Sequence, residues 1–211
     1  MKITRASSEE EMISEFLKAE IDPRQDNRLS TGKMIKSRLA DLKVPETIIY
    51  TPDLTRSSDN GIRKLLLTEI RGFPNQLLFT RVPTVVDWKF AELDNQDILN
   101  IEYLNQVWNT GGWLAGGAKA ADGAAYVLKS TKNGLDNVEH GDFKSALHYI
   151  QANGQFLPVV LITDGNRVVV LEGHKRVTVY AMDVIGKKLS TTTKRAIVGT
   201  CSPQALKNWN G

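Results

Sequence analysis

Apolar positions along this chain change period several times, and each change marks an element. Met12, Ile13, Phe16, Leu17 and Ile21 recur every three or four residues, the spacing of one helix face. Ser7 and Ser8 stand three residues before Glu10 and Glu11, a doubled capping box that opens a helix near 8–21. Asp22-Pro23 closes it, because the residue before a proline is pushed out of the helical region. Ile35, Leu39 and Leu42 predict a helix over 33–42. The β-branched run Thr47-Ile48-Ile49-Tyr50 predicts a short strand ended by Thr51-Pro52. Ser58-Asp59 caps a further helix carrying Ile62, Leu65, Leu66 and Ile70, and Gly72 stops it.

Val82 to Val86 predicts a strand. Asp94 then caps a helix with Ile98, Ile101, Leu104 and Trp108 on one stripe, ended by Gly111-Gly112. An alanine-rich stretch to Leu128 is helical in composition, and Asn133-Gly134 marks a loop. Asp142 caps a helix with Phe143, Leu147 and Ile150, ended by Gly154. Pro158-Val-Val-Leu-Ile-Thr163 and Val168 to Leu171 are two arms of a hairpin turned by Asp164-Gly165. After Gly173, residues from Arg176 to Ile185 follow helical spacing up to Gly186, and 195–199 predicts a last strand. Trp209 is expected to tuck into its own domain rather than stand in a free tail. The elements mix helices and short strands, an α+β pattern with no internal repeat. The expected organisation is a mostly helical part over residues 1–75 and a second domain over residues 76–211.

Charge sharpens that division. The chain of 211 residues has a net charge of only +3, too slight to argue for wrapping nucleic acid. Residues 1–105 carry 15 basic and 17 acidic side chains, whereas residues 106–211 carry 12 and 7. The positive field therefore belongs to the C-terminal half. Arg24 to Lys43 holds six basic residues against Asp26 and Asp41, but without interleaved aromatics it reads as a solvated basic face. With no long apolar run and no signal-peptide core, the expectation is a cytoplasmic chain without a membrane partner. Cys201 is the lone cysteine, and His140, His148 and His174 are scattered, so no metal centre is expected.

The chemistry concentrates at Leu171-Glu172-Gly173-His174-Lys175-Arg176, where a strand passes into a helix. The first turn of a helix presents N–H groups without intrahelical acceptors, and its dipole adds partial positive charge. Lys175 and Arg176 sit where that dipole disfavours cations by about 0.3 to 1 kcal/mol each, a cost that an anion would reverse. The alternative is that both point to solvent and Gly173 merely ends a strand.

This run, with the hairpin before it and Val177-Thr-Val-Tyr-Ala181 after it, resembles the core of the ParB/sulfiredoxin superfamily, in which a strand pair leads into a G-x-x-R turn and helix. The resemblance covers residues 142–185, with a fainter echo in the 82–86 strand and Phe90-Ala-Glu-Leu93. It implies a ParB/sulfiredoxin-like mixed sheet with helices, carrying the helical N-terminal part beside it. It also implies that Gly173, Lys175 and Arg176 bind phosphate. Sulfiredoxin carries its cysteine directly after the glycine, where this chain has His174, so sulfinic acid reduction is not expected. Partition proteins continue into a helix-turn-helix domain, which the residues after Gly186 are too few to form. The Glu-Gly-His-Lys-Arg run stands nearest the D-G-H-H-R of the free-serine kinase branch. What this implies is a pocket for ATP, ADP or CTP with Mg²⁺, or for a phosphorylated small molecule. Glu172 and His174 are then the candidate catalytic residues of a small-molecule kinase or nucleotide hydrolase. The rival reading is a non-enzymatic DNA-associated regulator or partner-binding module on the same fold.

The glycine-rich stretch from Trp108 to Gly117 is not a Walker loop, since Ala118 and Lys119 follow where Lys and Ser or Thr are required. It is read as a connection, with Trp113, Gly116 and Gly117 as the residues of a candidate lid.

Overall fold

The computed structural model describes residues 1–22, 29–104, 118–132, 143, 146–147, 149–150, 155–186 and 193–210. Among them five strands, β1 (Lys2–Ser7), β2 (Asp87–Leu93), β3 (Val159–Thr163), β4 (Val168–Glu172) and β5 (Lys194–Thr200), form one sheet in the order β1-β2-β5-β3-β4. β3 and β5 run parallel and the other neighbours antiparallel. The fold is α+β. Every residue of β3 is buried, as expected for a strand covered on both faces. Alternation splits the sheet's side chains between two cores. Val160, Ile162, Val169, Leu171 and Ile197 face one; Val159, Leu161, Val170, Ala196 and Val198 face the other.

The first core is roofed by α1 (Glu9–Ile21), α2 (Leu29–Asp41), α3 (Thr47–Tyr50) and α4 (Ser57–Arg71), together with the C-terminal helix. Ser8 accepts from the Glu11 amide as N-cap of α1, worth about 1 kcal/mol. Gly72 ends α4 in the left-handed region at φ +74. Arg71 and Glu20 join α4 to α1 through two hydrogen bonds of 2.8 and 2.7 Å. The second core lies under α5 (Asn95–Asn100), α6 (Ala120–Lys132) and α7 (His174–Gly186), with Phe143 and Ile150. The C-terminal helix, α8 (Pro203–Asn210), buries Leu206 and Trp209 in the first core, as expected for Trp209. β1, drawn from the helical N-terminal stretch, pairs with β2, so one sheet joins residues 1–75 to residues 76–211. None of the described helices is long and apolar enough to cross a membrane.

Three expectations are corrected. Thr47–Tyr50 is a helical turn, not a strand. It buries the adjacent Ile48 and Ile49 against the first core, which a helical turn achieves without the partner strand that β-structure needs; context overrides propensity here. The strand expected at 82–86 lies instead at Asp87–Leu93. Val82 is held in a turn by the Phe79 carbonyl, Val86 is exposed, and the ladder opens where the Val86 amide reaches the Thr200 carbonyl. Phe90 to Leu93 accordingly lies within this strand. The helix after Asp94 ends at Asn100 rather than Gly111, and Ile101 turns extended at ψ 130. Ile98 and Ile101 belong to the second core but Leu104 to the first. Their helical spacing is a coincidence of a chain crossing the sheet edge. Trp108, Gly111 and Gly112 lie outside the described residues, as do Asp142 and Gly154.

Candidate functional site

The turn between β4 and α7 is built by a bulge and a glycine. Val160 pairs with Glu172 and Leu161 with Val170, so Leu171 is the extra residue, and such a bulge re-aims the chain beyond it. Gly173 then takes φ +98, with a would-be Cβ 2.8 Å from Val159 Cγ1 and 3.1 Å from Arg176 Nη2. Only glycine fits both the angle and the space. What crowds Gly173 is the protein's own side chains.

Arg176 turns inward. It is 3% exposed. Its Nη1 donates to the carbonyls of Leu157 and Pro158 at 2.9 Å each, and its Nη2 pairs with Glu172 Oε2. The cation that the dipole disfavours at a helix start has therefore been met by an anion, and that anion is Glu172. The guanidinium ties the approach to β3, the end of β4 and the start of α7 into one knot. Glu172, read from the sequence as a catalytic carboxylate, is here the partner of Arg176. Its Oε2 is turned to a guanidinium, and among the described residues no group of three His, Cys, Asp or Glu side chains gathers together.

His174 and Lys175 open α7 and are both half-buried. The His174 ring stacks on Tyr103 at 6.1 Å between centroids and 20° between planes. Its carbonyl accepts from Thr178 Oγ1 at 2.8 Å, and Thr178 Oγ1 lies 2.6 Å from the Tyr103 hydroxyl. Burial raises the Tyr103 phenol above its ordinary value, against the opposing bond to Thr178. Thus the structure brings Glu172, Gly173, His174, Lys175 and Arg176 into one turn. The candidate lid residues Trp113, Gly116 and Gly117 lie outside the described residues. The two chain positions flanking that stretch are joined, since the Tyr103 amide donates to the Ala118 carbonyl at 2.8 Å.

Sequence reasoning missed Tyr103, Thr178 and Val159 as parts of the turn. One signal was present: Gly123 inside an alanine-rich helix, where glycine costs about 1 kcal/mol against alanine. A Cβ there would lie 2.5 Å from the Tyr103 hydroxyl oxygen.

A second buried polar group lies along α7 and at the start of β5. Lys194 donates to Asn95 Oδ1 at 3.1 Å and stands 6.0 Å from the Tyr180 ring. Burial lowers its ammonium below the ordinary lysine value, opposed by the field of Asp183. On the N-terminal basic stretch, Arg38 pairs with Glu69 and Lys36 with Glu46.

No family of known proteins matches this chain. No curated protein matches it, and no solved structure does.

Proposed function

We propose that the turn at Gly173 binds a phosphate-bearing ligand, a nucleotide or a phosphorylated small molecule, and that it does so without chemistry at Glu172. In this reading the ligand's anion meets the first-turn amides of α7, with His174 and Lys175 as side-chain donors. The Glu172–Arg176 pair holds the shape of the turn. The observation that carries the reading is the strand-bulge-glycine-helix junction, which sets two half-buried basic residues on the first turn of a 13-residue helix. A helix start favours an anion through its dipole and through first-turn N–H groups that have no acceptor within the helix. The resemblance to the ParB/sulfiredoxin core points to the same turn. The paired arginine and lysine on α2 weigh against a nucleic-acid face there.

Thermal unfolding with ATP, ADP, CTP and inorganic phosphate, each with and without Mg²⁺, tests the proposal. A ligand at a hundredfold excess over Kd stabilises the fold by about 2.7 kcal/mol. Lys175→Ala is expected to shrink that shift while leaving the unliganded protein folded. Arg176→Ala is the wrong variant for this purpose, because it dismantles the knot. Indifference to every nucleotide and to phosphate, with tight and steeply salt-dependent binding of duplex DNA, overturns the proposal in favour of a DNA-associated module. Retained turnover in Glu172→Gln, if hydrolysis or transfer is detected, agrees with a structural Glu172; lost turnover with retained affinity returns it to catalysis.

A further inference from the structure

We propose that Tyr103 is a positioning residue for the turn, fixing the ring of His174 from 71 positions upstream. Its consequence for a ligand rests on the phosphate-binding reading above; its geometry does not. Tyr103 is anchored through its backbone on both sides. Its amide donates to the Ala118 carbonyl at 2.8 Å, and its carbonyl accepts from Asn210 Nδ2 at 3.3 Å. The side chain is 3% exposed and belongs to the second core, to which α6 and α7 also contribute. Its phenol reaches Gly123 on α6 and Thr178 on α7.

The bonds set the proton order. Thr178 Oγ1 donates to the His174 carbonyl. A hydroxyl has a single proton to give, so the Tyr103 hydroxyl donates to Thr178. A chain therefore runs from Tyr103 through Thr178 to the main chain of His174, while the Tyr103 ring lies offset and nearly parallel to the imidazole. One residue thus sets the backbone of His174 by hydrogen bonding and its ring by stacking. Gly123 admits that residue, because any Cβ there would collide with the phenol. The glycine of α6 and the histidine of α7 are in this way two ends of one device.

The test monitors the His174 imidazole in the full chain by carbon–proton NMR, with the three histidines assigned by substitution. Tyr103→Leu removes the ring current, so the His174 signal is expected to move downfield. Affinity for inorganic phosphate or ATP is expected to fall about twofold to tenfold, the range of an aromatic pair. Tyr103→Phe keeps the stack and is expected to leave the signal in place. An unmoved His174 signal in folded Tyr103→Leu overturns the proposal. Should that variant fail to fold, Gly123→Ala serves in its place, since its methyl displaces the phenol: a shifted His174 signal supports the proposal and an unchanged one overturns it. A wild type that binds neither phosphate nor ATP, while Tyr103→Leu still moves the signal, removes the phosphate reading and leaves the positioning role standing.

Discussion

Among the described residues, Arg63 and Arg176 are buried on opposite sides of the sheet, and they are satisfied differently. Arg63, on α4 in the first layer, is wholly buried and donates to neutral oxygens: the Ile48 carbonyl at 2.7 Å, the Asp53 carbonyl at 3.3 Å and the Asn60 side chain. Arg176, on α7, also donates to two carbonyls but adds a carboxylate partner, Glu172. Position explains the difference. Arg63 reaches the Ile48 carbonyl within α3 and the Asp53 carbonyl in the loop that follows, oxygen acceptors that suit a cation without a carboxylate. Arg176 sits at a helix start, where N–H groups and dipole repel one, and burial there requires an anion. Burial pulls the Arg63 guanidinium below its ordinary value, with Asp59, Asp53 and Glu10 opposing from a distance. The turn whose residue types suggest a phosphate clamp is thus partly a solution to a folding problem.

The sharpest way to break this comparison is to replace each arginine by methionine, which keeps most of the volume. Arg176→Met leaves the Glu172 carboxylate without its buried partner, and a loss of about 3 to 5 kcal/mol is expected in urea unfolding. Arg63→Met strands neutral acceptors only, for about 1 to 3 kcal/mol. Glu172→Gln added to Arg176→Met is expected to recover much of the loss, because the uncompensated charge goes with it. Equal costs for the two single variants would mean that the carboxylate is not what makes Arg176 different.

A smaller effect separates two glycines of the hairpin region. Gly165 and Gly173 share nearly the same φ, +94 and +98, but a Cβ at Gly165 meets open space, whereas one at Gly173 presses on Val159. Gly165→Ala is expected to cost about 1 to 3 kcal/mol for the backbone alone. Gly173→Ala is expected to cost more than Gly165→Ala in the same assay. If the two are equal, the close packing of the turn contributes nothing.

Gly173 also shows how far the sequence could be read. The hairpin, the glycine and the helix after it were legible because β3 and α7 are strongly patterned and are covered by other elements, so burial and periodicity agree. What was hidden lay where the sheet meets solvent. β1 is almost wholly exposed, and in β2 the apolar residues change face midway, Trp88 and Phe90 packing on the first core and Ala91 and Leu93 on the second, so neither strand shows one apolar face along its length. At the candidate site, residue types were readable but direction was not: nothing local tells whether Arg176 points out to an anion or in to Leu157, Pro158 and Glu172. Nor is a stack between Tyr103 and His174 readable, since it depends on the chain's path around the sheet edge.

The interior that discourages charge on Arg63 also acts on phenols, and this yields the smallest expected effect. Tyr103 and Tyr180 are buried, while Tyr50 and Tyr126 are exposed. Burial is the first cause raising the phenols of Tyr103 and Tyr180 above the ordinary value, with hydrogen bonds to Thr178 and from the Phe156 amide opposing it. A group whose folded value is raised contributes stability that is fully present below its unfolded value, about pH 10 for tyrosine. Above that pH the unfolded chain gives up protons that the folded chain retains, so stability falls as pH rises. Absorbance titration of the native protein is therefore expected to show Tyr103 and Tyr180 ionising above the ordinary phenol value. Tyr103→Phe is expected to make the alkaline fall in stability shallower, since one of the late groups is gone. An unchanged slope would place the Tyr103 phenol in a wetter setting than its 3% exposure describes, and with it the packing of α6 against α7.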